Sequence, residues 1–79
     1  MNVRVKLFGL LSRRFPGYKP EQGMEVELPH GARVRDLLAR LDISKEDGGI
    51  VAVDGLVQKA ETELKDGSMI YVFHPIAGG

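Results

Sequence analysis

Only one stretch of this chain carries the apolar periodicity of a substantial helix. Val34, Leu37, Leu38 and Leu41 recur at i, i+3, i+4 and i+7, while Arg33, Arg35, Asp36 and Arg40 lie off that stripe. A single amphipathic helix needs an apolar surface of another kind to cover, and the rest of the chain reads as strands. Val3, Val5 and Leu7 alternate with Arg4 and Lys6; Met24, Val26 and Leu28 alternate with Glu25 and Glu27. Ile50 to Val53 is a short apolar run, Asp54-Gly55 is a type I′ turn signal, Leu56-Val57 supplies a short returning strand, and Met69 to Phe73 is the last strand. The pattern predicts an α+β domain: a mixed four- to five-stranded sheet with one main helix packed across one face. At 79 residues the chain is one domain.

The connections are less regular. Leu10, Leu11 and Phe15 have helical spacing and Pro16-Gly17 follows, which predicts one helical turn and then a loop. No Ser, Thr, Asp or Asn precedes the helix, so His30 or Gly31 is expected to cap it, with Asp36 and Arg40 complementing its dipole. Ser44 to Gly49 reads as a loop, Glu61 to Lys65 as a further helical turn, and Asp66-Gly67 as a turn. The domain is expected to span residues 1–74 and a flexible tail residues 75–79.

Composition removes several kinds of chemistry. Without cysteine there is no disulfide, thiolate metal site or cysteine nucleophile. Eleven basic residues balance eleven acidic ones, which argues against a nucleic-acid partner held by excess positive charge. The longest apolar run is far too short for a membrane span, and the alternating start, Met1 to Lys6, does not resemble a signal peptide, so a cytoplasmic location is expected. His30 and His74 each flank a proline and have no metal-ligand company; no metal and no bound cofactor are expected. No Ser-His-Asp grouping or phosphate-binding glycine loop is present, so the chain does not read as an enzyme in its own right.

The chemistry points to the C-terminus. The last strand runs into Pro75-Ile76-Ala77-Gly78-Gly79. Pro75 stiffens the exit, and the two glycines leave the α-carboxylate of Gly79 on a thin stalk around which another active site can close. Fully extended, residues 74 to 79 reach about 20 Å at roughly 3.3–3.6 Å each. Such a carboxylate can attack the α-phosphate of ATP to give an acyl-adenylate, from which a persulfide displaces AMP on the way to a thiocarboxylate. The sulfur then sits on the main chain, which needs no cysteine.

Several motifs together resemble the MoaD/ThiS family of ubiquitin-like sulfur carriers, over the whole chain. They are Val3-Arg4-Val5-Lys6-Leu7-Phe8, Gly31-Ala32-Arg33-Val34-Arg35-Asp36-Leu37-Leu38, Val51-Ala52-Val53-Asp54-Gly55, Leu64-Lys65-Asp66-Gly67-Ser68 and Phe73-His74-Pro75-Ile76-Ala77-Gly78-Gly79. Three positions depart from the family pattern: Arg33 stands where Thr is frequent, Asp54 where Asn is usual, and His74 where a first proline often precedes Pro75. The resemblance implies a β-grasp fold, with Gly79 as the thiocarboxylate site and Gly78 beside it. It implies an ATP-dependent adenylating enzyme, which uses the ATP, and a persulfide sulfur donor. The acceptor would be a molybdopterin synthase large subunit or, in the thiamin branch, a thiazole synthase. The tail is more similar to the molybdopterin branch.

In a β-grasp the first and last strands lie side by side. Phe8 is out of phase with Val3, Val5 and Leu7; if Ile70 and Val72 face the helix, Tyr71 and Phe73 face away from it. Phe8, Tyr71 and Phe73 would then form an apolar partner site at the root of the tail, continued by His74, Pro75, Ile76 and Ala77. If the phase is opposite, Tyr71 and Phe73 are core. Two other functions fit the same residues: a ubiquitin-like modifier joined to lysines, and a plain β-grasp interaction module.

Overall fold

The computed structural model describes residues 1–44 and 50–73. Strand β1 (Asn2–Phe8) leads into a short 3-10 helix (Gly9–Arg14), then β2 (Met24–Glu27), helix α1 (Val34–Arg40), β3 (Ile50–Val53), β4 (Leu56–Gln58) and β5 (Met69–Phe73). The strands form one sheet in the order β2-β1-β5-β3-β4. The central β1–β5 pair is parallel and the others are antiparallel. This is the expected mixed sheet, with five strands.

Period two decides which side chains meet the helix. Val5 lies opposite Ile70 and Leu7 opposite Val72, with Val51 opposite Val72 on the other flank. These residues and Val3 are buried with Val34, Leu37, Leu38 and Leu41, so the helical stripe and one sheet face form a single core. Leu11 turns into that core from the 3-10 helix, and Phe15 packs partly against it.

The start of α1 corrects the sequence reading. Its N-cap is Arg33, in extended conformation, and not His30 or Gly31. An arginine side chain has no acceptor, so only the return half of a capping box forms: the Arg33 N–H donates to Asp36 Oδ2 at 2.7 Å. The next two helical N–H groups, of Val34 and Arg35, donate to the carbonyls of Thr62 and Ala60, both at 2.9 Å. That is why Glu61 to Lys65 forms no helical turn. Its backbone is drawn out to meet the helix, with Glu63 bridging to Arg33 and the Leu64 N–H bonded to the Ala32 carbonyl at 2.8 Å. At the other end Asp42 takes the left-handed position, φ 57°, usual for glycine. The Ile43 N–H reaches back to the Leu38 carbonyl and the Asp42 N–H to that of Ala39, at 2.9 and 3.1 Å, which closes a Schellman motif. Most of the expected Ser44–Gly49 loop lies outside the described residues, as do His74 and the 75–79 tail.

Candidate partner-docking surface

The sheet face turned away from α1 carries the alternate residues of the same strands. Phe8 pairs with Phe73, and Phe73 pairs on its other side with Ile50. One row further along, Lys6 pairs with Tyr71, Tyr71 with Ala52, and Ala52 with Val57. The Phe8 and Phe73 rings stack, with centroids 4.7 Å apart and planes 13° apart; the Phe8 and Tyr71 rings are tilted at 5.8 Å. Phe8 and Phe73 are 39% and 37% exposed, and Tyr71 is half-buried. The three aromatics are therefore together and face away from the core.

The surface is wider than the periodicity of β1 and β5 indicated. Ile50 and Val57, 47% and 72% exposed, extend it across β3 and β4. The continuous apolar run Ile50–Val53 was a signal for this, since a strand apolar at every position presents apolar side chains on both faces. A contiguous exposed apolar patch of this kind is a candidate site for docking another molecule.

Two side chains fix the strands that bear the patch. β2 pairs only with residues 2–5 of β1, and beyond that the Tyr18 hydroxyl takes its place, accepting from the Leu7 N–H at 2.7 Å. Asp54, in the β3–β4 turn, accepts from the Met69 N–H through Oδ1 at 2.9 Å, while its own N–H donates to the Met69 carbonyl at 2.8 Å. The carboxylate thus ties the turn to the first residue of β5. Asparagine, usual in the family pattern at this position, would offer the same acceptor.

Around the patch the charges are few. Arg4 is held by Glu25, at 3.7 Å, and by the Gln22 carbonyl, at 2.7 Å. Among the described residues no three His, Asp or Glu side chains converge to hold a metal ion. A cleft of about 540 Å³ lined by Arg14, Phe15, Leu41, Asp42 and Ser44 includes none of the aromatic cluster. His30 sits exposed in the turn before α1. No helix among the described residues is long and apolar enough to cross a membrane. The expected site residues His74, Pro75, Ile76, Ala77, Gly78 and Gly79 follow directly on Phe73 and lie outside the described residues.

The chain matches the ThiS family over residues 5–79. Among solved structures it is similar to a Pyrococcus furiosus protein provisionally assigned as molybdopterin converting factor subunit 1. Identity is 33% and the TM-score 0.70, over 95% of this chain and 98% of that one. It is also similar to the complex of subunits 1 and 2 of the molybdopterin-converting factor from Helicobacter pylori, at 26% identity and a TM-score of 0.63 over the whole of both chains. Small archaeal modifier protein 1 of Haloferax volcanii shares the fold, with a TM-score of 0.71 over 95% of this chain and 98% of that one, at 16% identity. No curated protein matches significantly. The β-grasp topology, the motifs shared along the chain and the family match together place this chain in the ThiS/MoaD family of ubiquitin-like sulfur carriers.

Proposed function

We propose that this carrier is the small subunit of a molybdopterin synthase and works through the α-carboxylate of Gly79. An adenylating enzyme presents ATP; a Gly79 carboxylate oxygen attacks the α-phosphorus and pyrophosphate leaves. The terminal sulfur of a protein persulfide then attacks the acyl carbon and AMP leaves, giving an acyl disulfide. A second thiol of the donor protein attacks the cysteine sulfur of this acyl disulfide, forms a protein disulfide and releases the acyl-bound sulfur as the thiocarboxylate. That sulfur is the nucleophile delivered to the acceptor in the large subunit, and hydrolysis of the resulting acyl bond returns the carboxylate. In this scheme the chain's own side chains make no bond. They dock, and the tail reaches.

One observation carries the reading. The last strand delivers the chain at Phe73, in the middle of an exposed aromatic cluster and six residues before Gly79. A partner seated on Phe8, Tyr71 and Phe73 has its active site within the tail's reach of about 20 Å. The molybdopterin branch is favoured by the 33% and 26% identity to subunit 1 chains, over the full or nearly full length of each.

Intact-mass spectrometry tests it. The full chain and a Gly79-deleted chain are incubated with an extract of the source organism, ATP and a sulfide donor, and then with the large subunit and its pterin substrate. One oxygen replaced by sulfur in the full chain only, and consumed by the large subunit, is the expected result. Sulfur consumed by a thiazole synthase instead moves the carrier to the thiamin branch. No mass change, in an extract that converts a known carrier, refutes the carrier chemistry; lysine-linked conjugates of the full chain would then identify a modifier.

A further inference from the structure

Beside the aromatic cluster stands one cation whose charge no described residue answers. Lys6 lies directly across from Tyr71, one alternate position before Phe8 on the same strand and face. It is half-buried: its aliphatic stem passes against Gly23, where a Cβ would stand 3.0 Å from Lys6 Cγ. Arg4, the next cation on that face, is engaged by Glu25 and the Gln22 carbonyl. Lys6 has no carboxylate or carbonyl partner among the described residues, because β2 ends its pairing at Val5 and places no acidic residue opposite it. The other strands of the patch bring Met69, Tyr71, Phe73, Ile50, Ala52 and Val57 to this face, none of them charged.

A partner that covers Phe8 and Tyr71 removes water from one side of the Lys6 ammonium. Desolvating a charge without replacing its hydration is unfavourable, and a facing carboxylate is the group that offsets it. We infer that Lys6 is a specificity determinant of the docking face, and that the partner surface carries a carboxylate beside the apolar socket for the Phe8–Phe73 pair. The carboxylate belongs roughly 7 Å from that socket along the strand direction, two residues at about 3.3 Å each. Since Lys6 sits on one flank of the patch and Val57 on the other, the same pair also sets the orientation in which the tail is presented. The inference rests on the docking role proposed above and adds the chemistry of the surface that meets it.

The test is a titration of the purified large subunit of molybdopterin synthase, from the same organism, with the full chain and with Lys6→Gln, Lys6→Arg, Lys6→Glu and Phe73→Ala. Thermal melts confirm that each variant is folded. At about 50 mM salt, Lys6→Gln should bind about tenfold more weakly and Lys6→Glu about a hundredfold, with Lys6→Arg within about threefold of the parent. At about 0.5 M salt the gap between the parent and Lys6→Gln should shrink to under about threefold, because screening removes the pair's contribution. If Lys6→Gln binds like the parent at both salts, or Lys6→Glu binds more tightly, while Phe73→Ala is weakened, the carboxylate is refuted and docking on this face stands. If Phe73→Ala also binds like the parent, or the parent does not bind, the docking reading itself falls and this inference with it.

Discussion

Replacing Val72 and Phe73 separately by alanine distinguishes docking from folding on a single strand. The two residues are adjacent and point to opposite faces of β5. Val72 is fully buried against Leu7 and Val51, whereas Phe73 keeps 37% of its surface exposed and stacks only on its outer-face neighbour Phe8. Val72→Ala removes two buried methyl groups, at about 0.8 kcal/mol each, and adds a cavity term, for a loss of about 2–3 kcal/mol. Phe73→Ala forfeits a stacking term of about 0.5–1.5 kcal/mol and part of the ring's burial, for about 1–2 kcal/mol. Marginal stability of about 0.05–0.15 kcal/mol per residue leaves both variants mostly folded.

Binding should show the opposite ranking. Truncating an aromatic at the centre of an interface costs about 2 kcal/mol or more, a factor of about 30. Phe73→Ala should therefore weaken large-subunit binding at least about thirtyfold, while Val72→Ala leaves the affinity of the folded protein within about threefold. Urea unfolding gives the stabilities and calorimetric titration the affinities. If Phe73→Ala is the more destabilised variant and its folded fraction binds like the parent, Phe73 belongs to the core in function as well as in packing, and the docking argument fails.

Two further substitutions test local physics. Gly23 and Gly17 both have positive φ, +70° and +82°, but a Cβ on Gly23 would stand 2.6 Å from the Val5 carbonyl oxygen while one on Gly17 meets nothing within 4 Å. Gly17→Ala should cost only the left-handed backbone term of about 1–2 kcal/mol, and Gly23→Ala at least about 1 kcal/mol more, read by urea unfolding; equal losses would mean that β1 yields without cost. Arg33→Thr should raise stability by about 0.5–1 kcal/mol, because a Thr Oγ can accept from the Asp36 N–H, which now turns to the Arg33 carbonyl at 2.9 Å. A thermal melt that does not rise would show that the Thr62 and Ala60 carbonyls already complete the cap.

These residues also show where a sequence informs and where it cannot. The stripe Val34, Leu37, Leu38 and Leu41 and the alternation of β1 and β5 are local patterns, and local patterns state which face is apolar. They were enough for the helix and the strands, while the phase of β5, which the pattern left open, is set by the pairing of Ile70 with Val5 and Val72 with Leu7. The cap of α1 is not local: its acceptors lie on residues 60 and 62, and no pattern near Arg33 names them. The same long-range pairing overrode the helical spacing of Glu61 to Lys65. Asp42 ends the helix in a conformation that glycine usually marks, so its signal was absent. Ile50 and Val57 join the docking face only through the β5–β3–β4 register, which depends on the fold. The tail was read from its residue types and the family motif alone, and residues 74–79 lie outside the described residues.

The topology accounts for how so small a domain can carry both a core and an exposed apolar face. The parallel pairing of β1 with β5 sets the first strand against the last, so Phe8 and Phe73, 65 positions apart in sequence, form one stacked pair. Their strand neighbours Leu7 and Val72 are fully or almost fully buried on the opposite face. Each strand therefore contributes to the core and to the exposed apolar face by alternation alone. Here the core lies directly beneath the exposed face, and residues 74–79 follow in sequence on the strand that bears Phe73.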